Sequence, residues 1–374
     1  MSGLKNFAFS NRYDVVVVGG GPAGATASRR LSEAGLRVIM IERDLKRKKP
    51  CGGGMPSTLF REFQLPEDLS YKSVNSVLFV SPSGKRLEIG LRGGHLRVVE
   101  RGEFDSLLRG LAEQRGCKVM EAVVRGVEVE RRIKVKVLHK NGSSVIGADY
   151  LVAADGVNSA VRGWLGLKPL PYVYTLSSRM NVKGHESCEF WFGKSHAPGA
   201  YSWIFPRPDG VSVGTGTDEP KRAKRCLKEF LKRVGYRAEP ENMRLQGYKI
   251  PLWNGGPIRK NRVFFVGDAA GQVMPLTFEG IYYAMKSADF VAQAISQETP
   301  KLYEQLWKGR FLSRFRFMKL LQGYFLKSDR NAEKLVSIFS SAEMQELSMR
   351  LWLKKEQGRG VLISFIKRFG KFVH

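Results

Sequence analysis

The chain has 374 residues, 43% of them hydrophobic, with 62 lysines and arginines against 35 acids and a formal net charge of +27. That length predicts about two domains and a sizeable core; no uninterrupted apolar stretch reaches the roughly 18 residues of a membrane-spanning helix. Four scattered cysteines with no Cys-x-x-Cys pair argue against a disulfide framework or a zinc site.

The first apolar run, Tyr13 to Val18, breaks at Gly19-Gly20-Gly21-Pro22-Ala23-Gly24 and opens a helix-like stretch ending near Ala34-Gly35. A strand that turns on glycines into a helix lets backbone N–H groups approach a pyrophosphate at the positive helix end. Glu42 closes the next apolar run, Arg37 to Ile41, 18 residues past Gly24, the position of an acid that accepts a ribose hydroxyl. Residues 1 to about 75 and 97 to about 170 alternate strand-like and helix-like stretches, which predicts a mostly parallel sheet. Val74 to Arg97 and Tyr172 to Pro251 instead read as strands with turns, such as Ser81-Pro82-Ser83-Gly84 and Arg207-Pro208-Asp209-Gly210. Together these two stretches predict one mixed sheet inserted twice into the nucleotide domain. The expected division is 1–73, 97–171 and 252–300 for the nucleotide domain, 74–96 and 172–251 for the inserted sheet, and 301–374 for a helical appendage.

Two further strands end in Asp-Gly or Gly-Asp: Asp149 to Gly156, and Arg262 to Val266 followed by Gly267-Asp268. An Asp at a strand's carboxyl end can hold a polyhydroxyl chain, and the helix beginning near Glu279 can face a pyrophosphate or ring edge. With these motifs the chain resembles the FAD-dependent oxidoreductases of the p-hydroxybenzoate hydroxylase fold over residues 13 to about 295. That family also carries an Arg before a Phe-Asp pair, matched by Arg101, Phe104 and Asp105. The resemblance implies FAD in a Rossmann-like domain with an inserted mixed sheet.

Pro198-Gly199-Ala200-Tyr201-Ser202-Trp203-Ile204-Phe205-Pro206 sharpens it. Alternating Tyr201, Trp203 and Phe205 would share one face of a strand, whether as a ligand wall or as ordinary sheet core. The pattern P-x-x-Y-x-W-x-F-P resembles the substrate motif of geranylgeranyl reductases, which hydrogenate isoprenoid double bonds. Lys49 to Pro56, with Cys51 before Gly52-Gly53-Gly54, is similar to that family's loop beside the flavin; read alone, Cys51 is a small buried hydrophobe. Pro275 and Glu279-Gly280-Ile281 resemble its flavin-side loop.

The resemblance implies substrate contacts at Tyr201, Trp203, Phe205 and Pro206, with Cys51 and Tyr201 as unranked proton sources. It implies cofactor contacts at Gly19, Gly21, Ala23, Gly24, Glu42 and Arg43; at Cys51, Gly52, Gly53, Arg101 and Asp155; and at Gly267, Asp268, Gly280 and Ile281. The resemblance further implies a prenyl lipid or prenyl diphosphate as substrate and NAD(P)H or reduced ferredoxin as electron donor. A flavin monooxygenase or halogenase on the same fold, or an electron carrier to quinone, remain rivals; no Cys cluster supports the iron–sulfur domain that the last would bring.

The basic balance points to an anionic membrane surface or an acidic electron-donor protein. Nucleic acid is not expected, since zinc-finger spacing, RNA-binding aromatics and basic heptads are all missing. Residues 301–374 carry a net +10 and interleave cations with Phe311, Phe315, Phe317, Phe365, Phe369 and Phe372. Such helices either lie in a membrane interface or cap the core. The N-terminus lacks a signal-peptide layout, so the expected location is cytoplasmic and peripheral to the membrane, with no metal.

Overall fold

The structure, a computed structural model, describes residues 12–356, 360 and 363–367. Five parallel strands form the heart of an eight-stranded sheet, in the order Val263–Phe265, Gly142–Ala153, Arg12–Val18, Val38–Glu42 and Lys118–Glu121. Val15, Val16, Val17, Leu151 and Val152 are fully buried. A parallel sheet is covered on both faces, so its central strands need apolar side chains on both and read as unbroken runs. Helix Pro22–Glu33 packs against these strands and between helices Arg101–Gln114 and Ile281–Ser296. The expected alternation up to residue 170 misses an antiparallel hairpin, Val123–Val129 with Ile133–His139, joined to Gly142–Ala153. Ile133, Val135 and Val137 are buried while Leu138 is exposed, the two-residue period of a strand with one wet face.

A seven-stranded sheet runs in the order Gln246–Pro251, Tyr172–Met180, Gly210–Thr217, Ser202–Arg207, Cys188–Trp191, Ser76–Val80 and Arg86–Gly90. Every neighbouring pair is antiparallel except Cys188–Trp191 with Ser76–Val80. The stretch expected to be strands only, 172–251, also contains the helix Ala223–Val234. Its Ala223, Cys226, Leu227, Phe230 and Leu231 recur at helical spacing and are buried, several of them in one cluster with Ile204, Val211 and Val213 of the sheet. The basic run Lys221 to Arg233 is therefore the wet side of an amphipathic helix. A three-stranded sheet, Gly54–Pro56, Leu96–Val99 and Tyr71–Val74, packs beside Ser202–Arg207.

The appendage is helical: Pro300–Trp307, a π-helical turn Lys308–Leu312, then Ser313–Phe325, Asp329–Ile338 and Ala342–Trp352. Phe311 and Phe315 are buried against Trp307 and Tyr283. They belong to the core and are not available to a bilayer; Phe369 and Phe372 lie outside the described residues. Among the described residues no helix is long and apolar enough to cross a membrane. All four cysteines are free, and Cys51 alone is exposed.

Candidate active site

A cavity of about 640 Å³ runs from the first glycine turn, past the Cys51 loop and the face of the second sheet, to the C-terminal helices. At its nucleotide end Gly19 adopts φ 103°, where a Cβ would strike the Ala154 carbonyl, and a Cβ on Gly24 would strike the Gly19 carbonyl. A Cβ on Gly21 would meet nothing within 4 Å. Gly21 caps helix Pro22–Glu33 without any side-chain hydrogen bond, so the first N–H groups of that helix have no side chain capping them. Open space before an uncapped helix N-terminus fits a pyrophosphate.

Glu42 lies beside this turn. Its carboxylate accepts hydrogen bonds from the Gly20 N–H (2.7 Å) and the Asp44 N–H (3.1 Å). Arg109 fixes the same turn by donating to the carbonyls of Gly20 (3.2 Å) and Leu45 (2.8 Å). No motif points to Arg109, although Arg101, Asp105 and Arg109 recur every four residues on one buried helix face. Asp155 accepts from the Val161 N–H at 3.1 Å with one oxygen, while its Oδ1 is buried without a partner and burial raises its pKa. An orphaned acceptor facing the cavity suits a ligand hydroxyl. Ala23, Arg43, Gly280 and Ile281 also line the wall.

Asp268 pairs with Lys49 at 2.7 Å, and Lys49 sits 4.3 Å over the Tyr248 ring. Burial acts to lower the pKa of Lys49, but the Asp268 carboxylate prevails and holds it raised. Lys49 opens the motif of the Cys51 loop, but its pairing has no sequence signal, because its partner lies 219 residues downstream. Arg101 grips Asp105 in a two-pronged ion pair (3.0 and 2.8 Å) and also lies against the Cys51 thiol. Cys51 Sγ accepts from the Gly53 N–H at 3.4 Å. The Phe205 ring covers Gly52 so closely that an added Cβ would lie 2.5 Å from Cδ2.

Tyr201, Trp203 and Phe205 all line the cavity. The Tyr201 hydroxyl donates to the Thr277 carbonyl at 2.8 Å, and burial raises its pKa. Its ring meets Phe190 at 5.2 Å and Phe278 at 5.6 Å. Trp203 covers Gly214, and Phe205 packs on Phe190 at 5.2 Å. Phe79, Phe190 and Phe192 extend this wall, and Phe317, Met318, Leu321, Phe339 and Phe365 close it from the appendage. The loop carrying Thr277 is strained, with Leu276 at φ 70° and Phe278 at φ 54°.

Three expected contacts lie off the wall. Pro206 alternates with Phe205 and so turns to the opposite face of its strand. Gly24 serves the close approach to Gly19. Gly267 separates Ala23 from Ala284, and its N–H is taken by Gln272 Oε1 at 2.8 Å.

The sequence model of the FAD binding domain matches residues 12–299. A digeranylgeranylglycerophospholipid reductase of Methanocaldococcus jannaschii is 33% identical over 92% of this chain and 95% of its own. The chain belongs to the geranylgeranyl reductase family of FAD-dependent oxidoreductases. The geranylgeranyl diphosphate reductase of Synechocystis is 30% identical over 91% of this chain and 92% of its own. A crystal structure of a geranylgeranyl bacteriochlorophyll reductase-like protein from Thermoplasma acidophilum superposes with a TM-score of 0.82 at 28% identity, covering 96% of this chain and 99% of that one. The open helix N-terminus, the free Asp155 oxygen and the length of the cavity fit FAD.

Proposed function

We propose that this flavoprotein hydrogenates isolated double bonds of a geranylgeranyl-type chain carried by a prenyl lipid or prenyl diphosphate. The observation that carries the reading is the continuity of one cavity from the dinucleotide turn into an aromatic-walled passage suited to an apolar chain. When bound and reduced, FAD supplies a hydride to one alkene carbon and is oxidised, leaving the other carbon to receive a proton. Tyr201, Trp203 and Phe205 hold the chain, exclude water and offer ring faces to positive character building on carbon. The Tyr201 proton is engaged by the Thr277 carbonyl, so Tyr201 acts chiefly as a wall. Cys51 is the better proton source: it is exposed, with the Arg101 and Arg207 guanidinium groups near the sulfur to balance the charge left there until solvent returns the proton.

The same reading has the protein working peripherally at the cytoplasmic face of an anionic membrane. The net charge of +27 supports it, as do Leu320, Ile363 and Ile366, exposed beside cavity-lining Phe317, Leu321 and Phe365. Electrons arrive from NAD(P)H or an acidic donor such as reduced ferredoxin. Anaerobic incubation with dithionite and geranylgeranyl lipids, followed by mass spectrometry, tests the chemistry. A gain of one H2 per reduced bond is expected; unchanged lipid masses with FAD-loaded, reduced protein would remove the assignment.

A further inference from the structure

A buried cation from the C-terminal segment meets the cofactor wall. Lys355 is 4% exposed, with Nζ 2.6 Å from both carboxylate oxygens of Glu279. The ammonium also lies 4.8 Å from the Tyr282 ring centre and 5.5 Å from that of Tyr283. Its backbone holds φ 55°, a conformation a lysine adopts only when its surroundings enforce it. The enforcement is visible on both sides. The Leu353 carbonyl accepts the Thr58 hydroxyl at 2.6 Å, Arg314 donates to the Glu356 carbonyl at 2.6 Å, and Arg350 pairs with Glu356 at 2.9 Å. Thr58 stands in the helix that follows the Cys51 glycine loop, so the strap 353–356 ties that loop to the Glu279 wall.

Glu279 lines the cavity one residue before Gly280, where a Cβ would lie 3.5 Å from Asp268 Oδ1. A purely structural tie at this place could be apolar, since an ion pair buried this deeply gains little over well-packed hydrophobic side chains. A charged pair on the wall of a flavin site has a second consequence. An unpaired Glu279 carboxylate would oppose the negative charge a flavin gains on two-electron reduction at neutral pH.

We infer that Lys355 is a positioning residue for the redox chemistry: by neutralising Glu279 from the C-terminal strap, it keeps the reduction potential of the bound flavin from falling. The inference rests on the flavin site and is independent of the prenyl substrate. Burial pushes the pKa of Lys355 down, against the pull of Glu279 and, more weakly, of Glu62.

The test is a dye-referenced redox titration of the holoenzyme, with an FAD titration of the apoprotein followed by flavin fluorescence. Lys355→Met should shift the balance about tenfold toward oxidised FAD, or about 30 mV lower for a two-electron couple. Glu279→Gln with Lys355 retained should move the potential upward. The double variant should return within about threefold of the wild-type balance, because it holds neither charge. An unchanged potential in Lys355→Met, or a double variant as displaced as the single, would overturn the inference. If Lys355→Met does not fold, Glu279→Gln decides: a rise supports the charge argument and no change defeats it. No outcome depends on lipid reduction, so a failure of the substrate assignment would be seen separately.

Discussion

Gly21 and Gly24 lie three residues apart, and one methyl group added to each separates their roles. Gly21→Ala adds a Cβ into space where the protein has no atom within 4 Å, at φ −77°, which alanine adopts freely. Its stability cost is that of exchanging glycine for alanine at a helix N-cap, under about 1 kcal/mol. The methyl does stand before the N-terminus of Pro22–Glu33, where the pyrophosphate must approach. Losing one charge-assisted hydrogen bond there costs about 1.5–3 kcal/mol, roughly a 10- to 150-fold weaker FAD affinity. Gly24→Ala has the opposite signature. Its Cβ collides with the Gly19 carbonyl, a backbone atom that cannot swing aside, so folding is destabilised by about 1–3 kcal/mol. Thermal melts of the apoprotein and fluorescence titration with FAD separate the two. A Gly21→Ala protein that binds FAD as the wild type does, or a Gly24→Ala apoprotein melting at the wild-type temperature, would refute the reasoning.

Trp203→Ala should slow single-turnover reoxidation of reduced flavin by prenyl substrate while FAD content is unchanged, since the ring covers Gly214 on the cavity wall; loss of a buried aromatic costs about 3–5 kcal/mol where it packs fully. His196 is buried, and burial followed by the Arg233 charge lowers its pKa to about 4. Ser202 donates onward to Thr215, so His196 Nδ1–H donates to Ser202 and the bare Nε2 has no partner to meet a proton. A depressed histidine contributes stability above its unfolded pKa of about 6.5 and loses it as pH falls toward 4, by at most about 3 kcal/mol. Urea melts of wild type should therefore weaken across that window, and those of His196→Gln should be flatter; parallel pH profiles would contradict this. Co-sedimentation with anionic vesicles should fall as salt rises without vanishing, and Leu320→Asp should remove the salt-resistant part because Leu320 is 72% exposed. Equal binding of both proteins at high salt would count against that face.

The first strand, turn and helix are legible in the sequence because close chain approach at Gly19 and Gly24 tolerates almost no other residue. The same tightness misleads about roles: Gly24 and Gly267 carry motif identity through packing and do not reach the cavity. Alternation in Tyr201-Ser202-Trp203-Ile204-Phe205 identifies the cavity wall, yet a motif that continues to Pro206 passes onto the other face of the strand. Arg109 and Lys355 are invisible by motif, and so is the pairing of Lys49 with Asp268, since each acts through a partner brought close only by the fold. The helix Ala223–Val234 hides behind its own cations, its apolar spacing interrupted at every exposed position.

The parallel pairing of Ser76–Val80 with Cys188–Trp191 also has a meaning in time. Val77 meets Cys188, 111 residues later in the chain, which a ribosome working at about 5–20 residues per second delivers roughly 5–20 s afterwards. Asp268 reaches Lys49 after nearly twice that interval. During synthesis the early hairpin therefore waits with an unfilled edge, and the two halves of the nucleotide cradle cannot meet until most of the chain has emerged. Cofactor loading is then a late event of biogenesis.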